Sequence, residues 1–142
     1  MTDDMLPPVD DLTAPWWDAT RERRLLLQKC GACAAVQHYP RRVCTSCGAV
    51  DAHTWVEACG LGTVDSYTVV HRAPAPGVAV PYTVARVRLA EGPLILTRLT
   101  GVPDDGTAFD AELELTWLPL ADGRHLPAFR ACAVPSAGRR GD

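Results

Sequence analysis

Four cysteines in two C-x-x-C pairs, Cys30-Gly31-Ala32-Cys33 and Cys44-Thr45-Ser46-Cys47, restrict this chain more than any other feature. Ten residues separate the pairs. A two-residue gap brings both sulfurs of a pair to one ion, and four thiolates suit the tetrahedral preference of Zn²⁺. Gly31 and Gly48 fit the tight turns of two knuckles, where backbone must fold back over sulfur with little room for a Cβ. Lys29, Arg41 and Arg42 flank the site, and nearby positive charge favours the thiolate. Two disulfides are the alternative, disfavoured in a chain whose start does not read as an export signal. A redox dithiol would explain one pair and leave the second without a purpose. The quartet Cys30, Cys33, Cys44 and Cys47 is therefore expected to hold a structural zinc.

At 142 residues the chain has room for one domain, or one domain and a small module. Twelve prolines and eleven glycines imply many short turns, which favours strands over long helices. The start, Met1-Thr2-Asp3-Asp4-Met5, is acidic and lacks the basic-then-apolar pattern of a signal peptide. No apolar run approaches membrane-spanning length, so no membrane association and a reducing, cytoplasmic setting are expected. Residues 1–14 carry four acids and no base, residues 15–42 six bases against two acids, and residues 43–142 eight bases and eleven acids. A basic ribbon end on an acidic body suits phosphates or an acidic protein surface, or else solvated arginines that pair locally.

Residues 1–14 read as a lead-in broken by Pro7-Pro8. Thr13 suits an N-cap with Pro15 in the first turn, and a short helix from Trp16 to about Arg23 follows. Adjacent tryptophans leave a helix in different directions, so one of Trp16 and Trp17 is a candidate interface anchor, with core packing the commoner role for either one taken alone. Leu25–Lys29 and Gln37–Val43 read as strands leading into the knuckles, which places helix and ribbon at 15–54. From Trp55 to residue 134 the pattern is strand and turn. Gly60-Leu61-Gly62 suits a bulge or bend, followed by a long strand to Val70. Pro81–Leu89 puts Thr83, Ala85, Val87 and Leu89 on one face. Leu94–Thr100, Ala111–Leu118 and Leu126–Cys132 complete five strands, with loops at Ala73–Gly77 and Val102–Gly106 and a disordered tail at 135–142. The fold class expected is mostly β: an N-terminal helix and four-cysteine zinc ribbon, then a small closed barrel of which the five-stranded OB-fold is an example, with a three-plus-two sandwich as the alternative.

Taken together, these residues resemble the DUF35 family, whose members join a rubredoxin-like zinc ribbon to an OB-fold. The resemblance runs from about Pro15 to Phe129. Its carriers are Pro15-Trp16-Trp17, the cysteine quartet, Pro40-Arg41-Arg42-Val43-Cys44, and Trp55 before Gly60-Leu61-Gly62-Thr63-Val64. Tyr67-Thr68-Val69-Val70-His71, Pro81-Tyr82, Glu91-Gly92-Pro93 and Asp122-Gly123-Arg124-His125-Leu126-Pro127 follow in order. The resemblance implies an accessory protein that docks on thiolase-superfamily enzymes, including steroid side-chain aldolases, or is fused or bound to hotdog-fold acyl-CoA hydratases. It implies that catalytic residues belong to the partner, while ribbon and barrel hold it and shape an acyl-CoA entrance. Two departures stand out. Cys59 sits where a small hydroxyl residue is common, and Ala108-Phe109-Asp110-Ala111 lacks a glycine often found before the fourth strand.

Chemistry within the chain itself finds little support in the residues. There is no G-x-S-x-G, H-E-x-x-H or P-loop, and Gly60-Leu61-Gly62 lacks the third glycine of a dinucleotide site. A zinc with four sulfurs has no open position for water. Cys59 with His53 or His71 is imaginable as a reactive pair, but an inert cysteine is the commoner state. Cys132 lies outside the quartet, His38 and His53 read as surface or packing residues, and Glu112 and Glu114 as solvated. No catalytic residue is assigned. The favoured expectation is a non-catalytic subunit of an acyl-CoA enzyme, with Trp16 or Trp17 gripping the partner and Arg41, Arg42 or Arg98 meeting CoA phosphates. Single-stranded nucleic-acid binding is an alternative, weakened by the net charge of −3 and by few strand aromatics. A stand-alone acyl-CoA enzyme is the other.

Overall fold

The computed structural model describes residues 6–101 and 111–132. The expected loop at Val102–Gly106, most of the segment lacking a family glycine, and the tail lie outside these residues. The order is α1 (Ala14–Arg21), β1 (Leu26–Cys30), β2 (Val36–Gln37), β3 (His53–Glu57), β4 (Leu61–Val70), β5 (Tyr82–Leu89), β6 (Leu94–Thr100), β7 (Glu112–Pro119) and β8 (His125–Ala131).

Helix α1 starts one turn earlier in its bonding than Thr13 alone suggests. The Thr13 N–H donates to Asp10 Oδ1 (2.8 Å), and the Asp10 N–H donates to Thr13 Oγ1 (3.1 Å). The two side chains thus satisfy each other's backbone donors in a capping box, with Asp10 as the cap. The Thr13 N–H and hydroxyl hold the Asp10 carboxyl below its ordinary range. At the far end the helix stops at Arg21 and not near Arg23. Arg23 turns left-handed (φ 57°), and the N–H groups of Arg23 and Arg24 return to the carbonyls of Thr20 and Ala19 at 3.0 Å. Those two bonds close a Schellman motif without its usual glycine.

β2, β1 and β3 form a three-stranded antiparallel sheet, with Leu26–Cys30 paired residue for residue to Glu57–His53. The strand containing Trp55 and Val56 therefore belongs to the ribbon sheet, and the passage to the barrel falls at Ala58–Gly60. Alternation along this strand identifies a strand but not the sheet it joins. The remaining five strands close a barrel in the order β4-β5-β6-β8-β7, which settles barrel against sandwich. Closure uses a short parallel pairing of Arg98–Thr100 with Ala128–Arg130 and an antiparallel one of Leu61–Thr63 with Glu112–Glu114.

The β5 alternation is realised, with Thr83, Ala85, Val87 and Leu89 buried. Gly62 supplies a close approach and not the bulge: a Cβ there would lie 2.7 Å from Val87 Cγ1 and 2.8 Å from the Arg88 carbonyl oxygen. The register shift of β4 falls between Val64 and Ser66. One apolar cluster runs through both parts. It joins Trp16, Trp17, Leu25 and Leu27 to Val64, Val87, Leu89, Ile95, Leu99, Leu113 and Phe129. Apolar burial at roughly 25 cal/mol per Å² is the driving force, and here it ties helix, ribbon and barrel into one body.

Candidate metal centre and interface groove

The two knuckles repeat one bonding pattern. The Cys30 N–H donates to the Ala35 carbonyl (2.9 Å) and the Cys44 N–H to the Ala49 carbonyl (2.9 Å). The N–H groups of Ala34 and Gly48 return to the carbonyls of Cys30 (2.9 Å) and Cys44 (3.0 Å). The Ala32 and Ser46 N–H groups each lie 3.4 Å from the sulfur of the first cysteine in their loop. Ala34 (φ 65°) and Gly48 (φ 79°) are the left-handed residues of the two loops. Gly31 is needed for a different reason: its N–H meets the Ala52 carbonyl at 2.7 Å, and a Cβ would sit 3.0 Å from that oxygen.

All four sulfurs lie within 4.8 Å of one another. Cys30 and Cys47 approach to 3.7 Å and Cys33 and Cys44 to 3.6 Å. Four sulfurs at about 2.3 Å from one zinc stand about 3.8 Å apart, so the geometry fits a tetrahedral ion. Cys30 and Cys44 are buried, whereas Cys33 and Cys47 are exposed. The Cys47 and then Ser46 N–H groups bring the Cys44 thiol down to about 6. The Cys33 N–H leads those that lower Cys30. Cys33 also receives help from the Ala35 N–H, yet desolvation and the neighbouring sulfurs push it up to about 12. Four thiolates this close repel one another, and a dication at the centre removes that repulsion. This is a zinc-ribbon metal site.

A buried amide pair braces the knuckles from within. Gln37 Nε2 donates to Gln28 Oε1 (2.8 Å), which also accepts the Arg41 N–H (2.8 Å). Gln37 Oε1 accepts the Thr45 N–H at 3.0 Å. Sequence reasoning missed both glutamines, because an isolated glutamine carries no sign of burial.

The five interface candidates separate into two places. Trp16, Trp17 and Arg98 line a groove of about 610 Å³ between α1, the ribbon and the barrel, together with Leu96, Leu118 and Leu126. Neither indole projects outward, being 3% and 4% exposed. Both take the packing role that is the commoner one for either ring alone, because ribbon and barrel cover both sides of the helix. The rings meet edge to face at 4.7 Å, and Trp17 Nε1 donates to the Tyr39 hydroxyl (3.2 Å). Arg98 stacks over Tyr82 at 4.3 Å. Arg41 and Arg42 line a smaller recess of about 250 Å³ with Asp11, Gln28, His53 and Trp55, and Arg42 Nε lies 3.3 Å from Asp51.

His38 is a packing residue beside Trp16 and Tyr39, and burial, then the Arg41 charge, lower its pKa to about 4. His53 stands opposite Cys30 in the β1–β3 register, whereas Cys59 lies beyond the far end of β3. At about 3.3 Å per residue the two stand roughly 20 Å apart, too far to act as a pair. Glu114 pairs with Arg130 at 3.1 Å. Arg124 was missed as a packing residue; it is 4% exposed, bonded to Asp122 (2.6 Å) and stacked on Trp17.

Comparison with known proteins gives two matching family models. The rubredoxin-like zinc ribbon domain of ChsH2 matches residues 17–51, and the C-terminal OB-fold domain of ChsH2 matches residues 55–118. A probable enoyl-CoA hydratase alpha subunit of Thermomonospora curvata is 40% identical over 129 residues, covering 91% of this chain and 40% of that protein. A 3-oxo-4,17-pregnadiene-20-carboxyl-CoA hydratase alpha subunit of Mycobacterium tuberculosis is 30% identical over 118 residues, covering 83% and 37%. The chain thus spans about two-fifths of the length of these curated relatives. Among solved structures, a chain of an Ltp2-ChsH2(DUF35) aldolase superposes with a TM-score of 0.79 at 37% identity, covering 89% of this chain and 98% of that one.

Proposed function

As this chain belongs to the DUF35 family, with the ribbon and OB-fold of ChsH2, we propose that it is a non-catalytic docking subunit of a thiolase-superfamily acyl-CoA enzyme. In this reading the partner supplies the reacting groups, and this chain supplies a rigid surface that stabilises it. The observation that carries the proposal is the likeness to the chain of the Ltp2-ChsH2(DUF35) aldolase, which extends over nearly all of that chain. A metal with four sulfur ligands supports it from the chemical side, since such an ion braces backbone and has no position for substrate.

Arg41 and Arg42, in the recess beside His53, are the proposed contacts to CoA phosphates, and Arg98 faces a separate groove. Trp16 and Trp17 contribute by shaping that groove, not as exposed anchors. Coexpression with the thiolase-superfamily enzymes of the same genome tests the assignment. We expect one of them to copurify at fixed stoichiometry and to lose solubility and turnover when expressed alone. Arg41→Ala should raise KM for acyl-CoA in the complex without releasing this chain. Acyl-CoA cleavage by this chain alone would overturn the docking role. The name of the 40% identical relative, a probable enoyl-CoA hydratase alpha subunit, favours a second reading, association with an acyl-CoA hydratase, and the same coexpression with that enzyme class decides between them.

A further inference from the structure

The barrel leaves the first part of one β6 edge, before Arg98, unpaired, and the cause lies in a single residue of β8. The Leu89 N–H donates to the Pro93 carbonyl at 2.9 Å. With the β5–β6 register this makes Ile95, Thr97 and Leu99 the residues bonded to β5. The backbone groups of Leu94, Leu96, Arg98 and Thr100 therefore point the other way, toward β8. On β8, the bonds Leu120 N–H to Arg124 O and Cys132 N–H to Glu112 O, both 2.8 Å, turn the even-numbered residues toward β7. His125, Pro127 and Phe129 then face β6. Parallel pairing begins at Arg98 with Ala128. One step earlier, the Leu96 carbonyl would need the N–H of Pro127, and proline has none.

The ladder stops there, and the strands part. His125 instead gives its N–H to Thr20 Oγ1 of α1 (3.2 Å). Among the described residues, nothing takes its place at Leu94 and Leu96. Leu96 itself lines the groove together with Leu118, Leu126 and Trp16. The Leu96 side chain is 72% exposed, the most exposed large apolar residue of the described chain. Arg98, stacked on Tyr82, stands at the end of the open edge and has no carboxylate partner among the described residues.

The geometry points to a strand-addition site: an extended apolar segment of a partner protein pairs with β6 at Leu94 and Leu96, with an acidic side chain meeting Arg98. This deepens the docking reading above and rests on it for the source of the segment. Edge backbone selects a peptide over other occupants, because exposed N–H and C=O groups in register are satisfied by another strand and not by a hydrocarbon chain.

The test uses the full chain and short random peptides displayed on phage, with the selected peptides then synthesised. Hydrogen exchange by NMR should show the Leu94 and Leu96 amides protected on binding. Leu96→Pro removes the outward N–H without touching a β5 bond, and Arg98→Ala removes the charge. Each should weaken binding about tenfold or more, the loss expected for a charge-assisted or backbone bond at an edge that the bound peptide covers. Unchanged thermal unfolding of both variants shows that the fold is intact. A selection without binders, or binders that leave both amides exchanging, overturns the site. So does a fatty acid that fills the groove and displaces the peptides without amide protection. A partner enzyme that binds Leu96→Pro as tightly as the native chain overturns the site while leaving the docking role standing. Peptides that bind as expected while no acyl-CoA enzyme does so would sink the docking role alone.

Discussion

The guanidinium of Arg124 lies 4.6 Å from the centre of the Trp17 ring, buried between α1 and the turn that opens β8. Around this contact Arg21 Nη1 donates to the Asp122 carbonyl (2.8 Å), and His125 Nδ1 stands 2.8 Å from the Thr20 carbonyl. The helix that caps the ribbon is thereby fastened to the last hairpin of the barrel. Metal-dependent and barrel-forming parts of the chain share one buried seam.

Trp17→Ala should cost about 3–5 kcal/mol, the usual range for truncating a buried aromatic ring. A double-mutant cycle with Arg124→Met should return a coupling of about 1–2 kcal/mol for a desolvated cation over an indole face. Denaturant titrations of the four proteins measure both. A coupling of zero would show the stacking to be incidental.

Cys30→Ser or Cys47→Ser leaves three sulfurs. Zinc content by elemental analysis should fall well below one ion per chain, with the β1–β3 sheet opening and the barrel strands retained in part. Metal binding contributes on the order of 10 kcal/mol in comparable ribbons, so loss of one ligand is enough to unfold the module. Full zinc in either variant would contradict the assignment of the site.

His38 is held neutral by burial and by Arg41, with its pKa lowered to about 4 from 6.5. The unfolded chain binds the extra proton first, so the stabilising effect is complete above about pH 6.5 and is lost as pH falls toward 4. The full difference amounts to about 3 kcal/mol. His38→Phe should flatten the pH dependence of unfolding across that interval, read at pH values where zinc content is unchanged. An unaltered slope would place the titration elsewhere.

Gly62→Ala pushes a methyl group against Val87 Cγ1 and the Arg88 carbonyl. Overpacking of this kind costs about 1–3 kcal/mol. Thermal unfolding should register it, and Gly77→Ala is the control, since nothing lies within 4 Å of that position and only its φ of +84° is strained.

Much of this was legible in the residues. C-x-x-C spacing is a local property, and the metal site followed from it without any knowledge of the fold. Alternation at 83–89 gave the buried face of β5 for the same reason, because neighbours along a strand set it. Long-range partners were harder to read. Trp55 and Val56 look like barrel residues until β1 is known to be their partner. That Trp16 and Trp17 are both packed inside shows only once ribbon and barrel close over both sides of a helix of eight residues. Pro127 reads as one more residue of the last strand, and its effect appears only when the Leu96 carbonyl is placed opposite it. Gln28 and Gln37 gave no hint at all, since polar side chains reveal burial only through their bonds.

The ion in this ribbon has a sheltered side at Cys30 and Cys44 and a wet side at Cys33 and Cys47. Chelators and oxidants thus have a single door, and whichever sulfur lets go first will be one of the outer two. Because Cys30 closes β1 and stays tied to His53 across the sheet, early damage at that door leaves the clasp hanging by its hinge before it falls open.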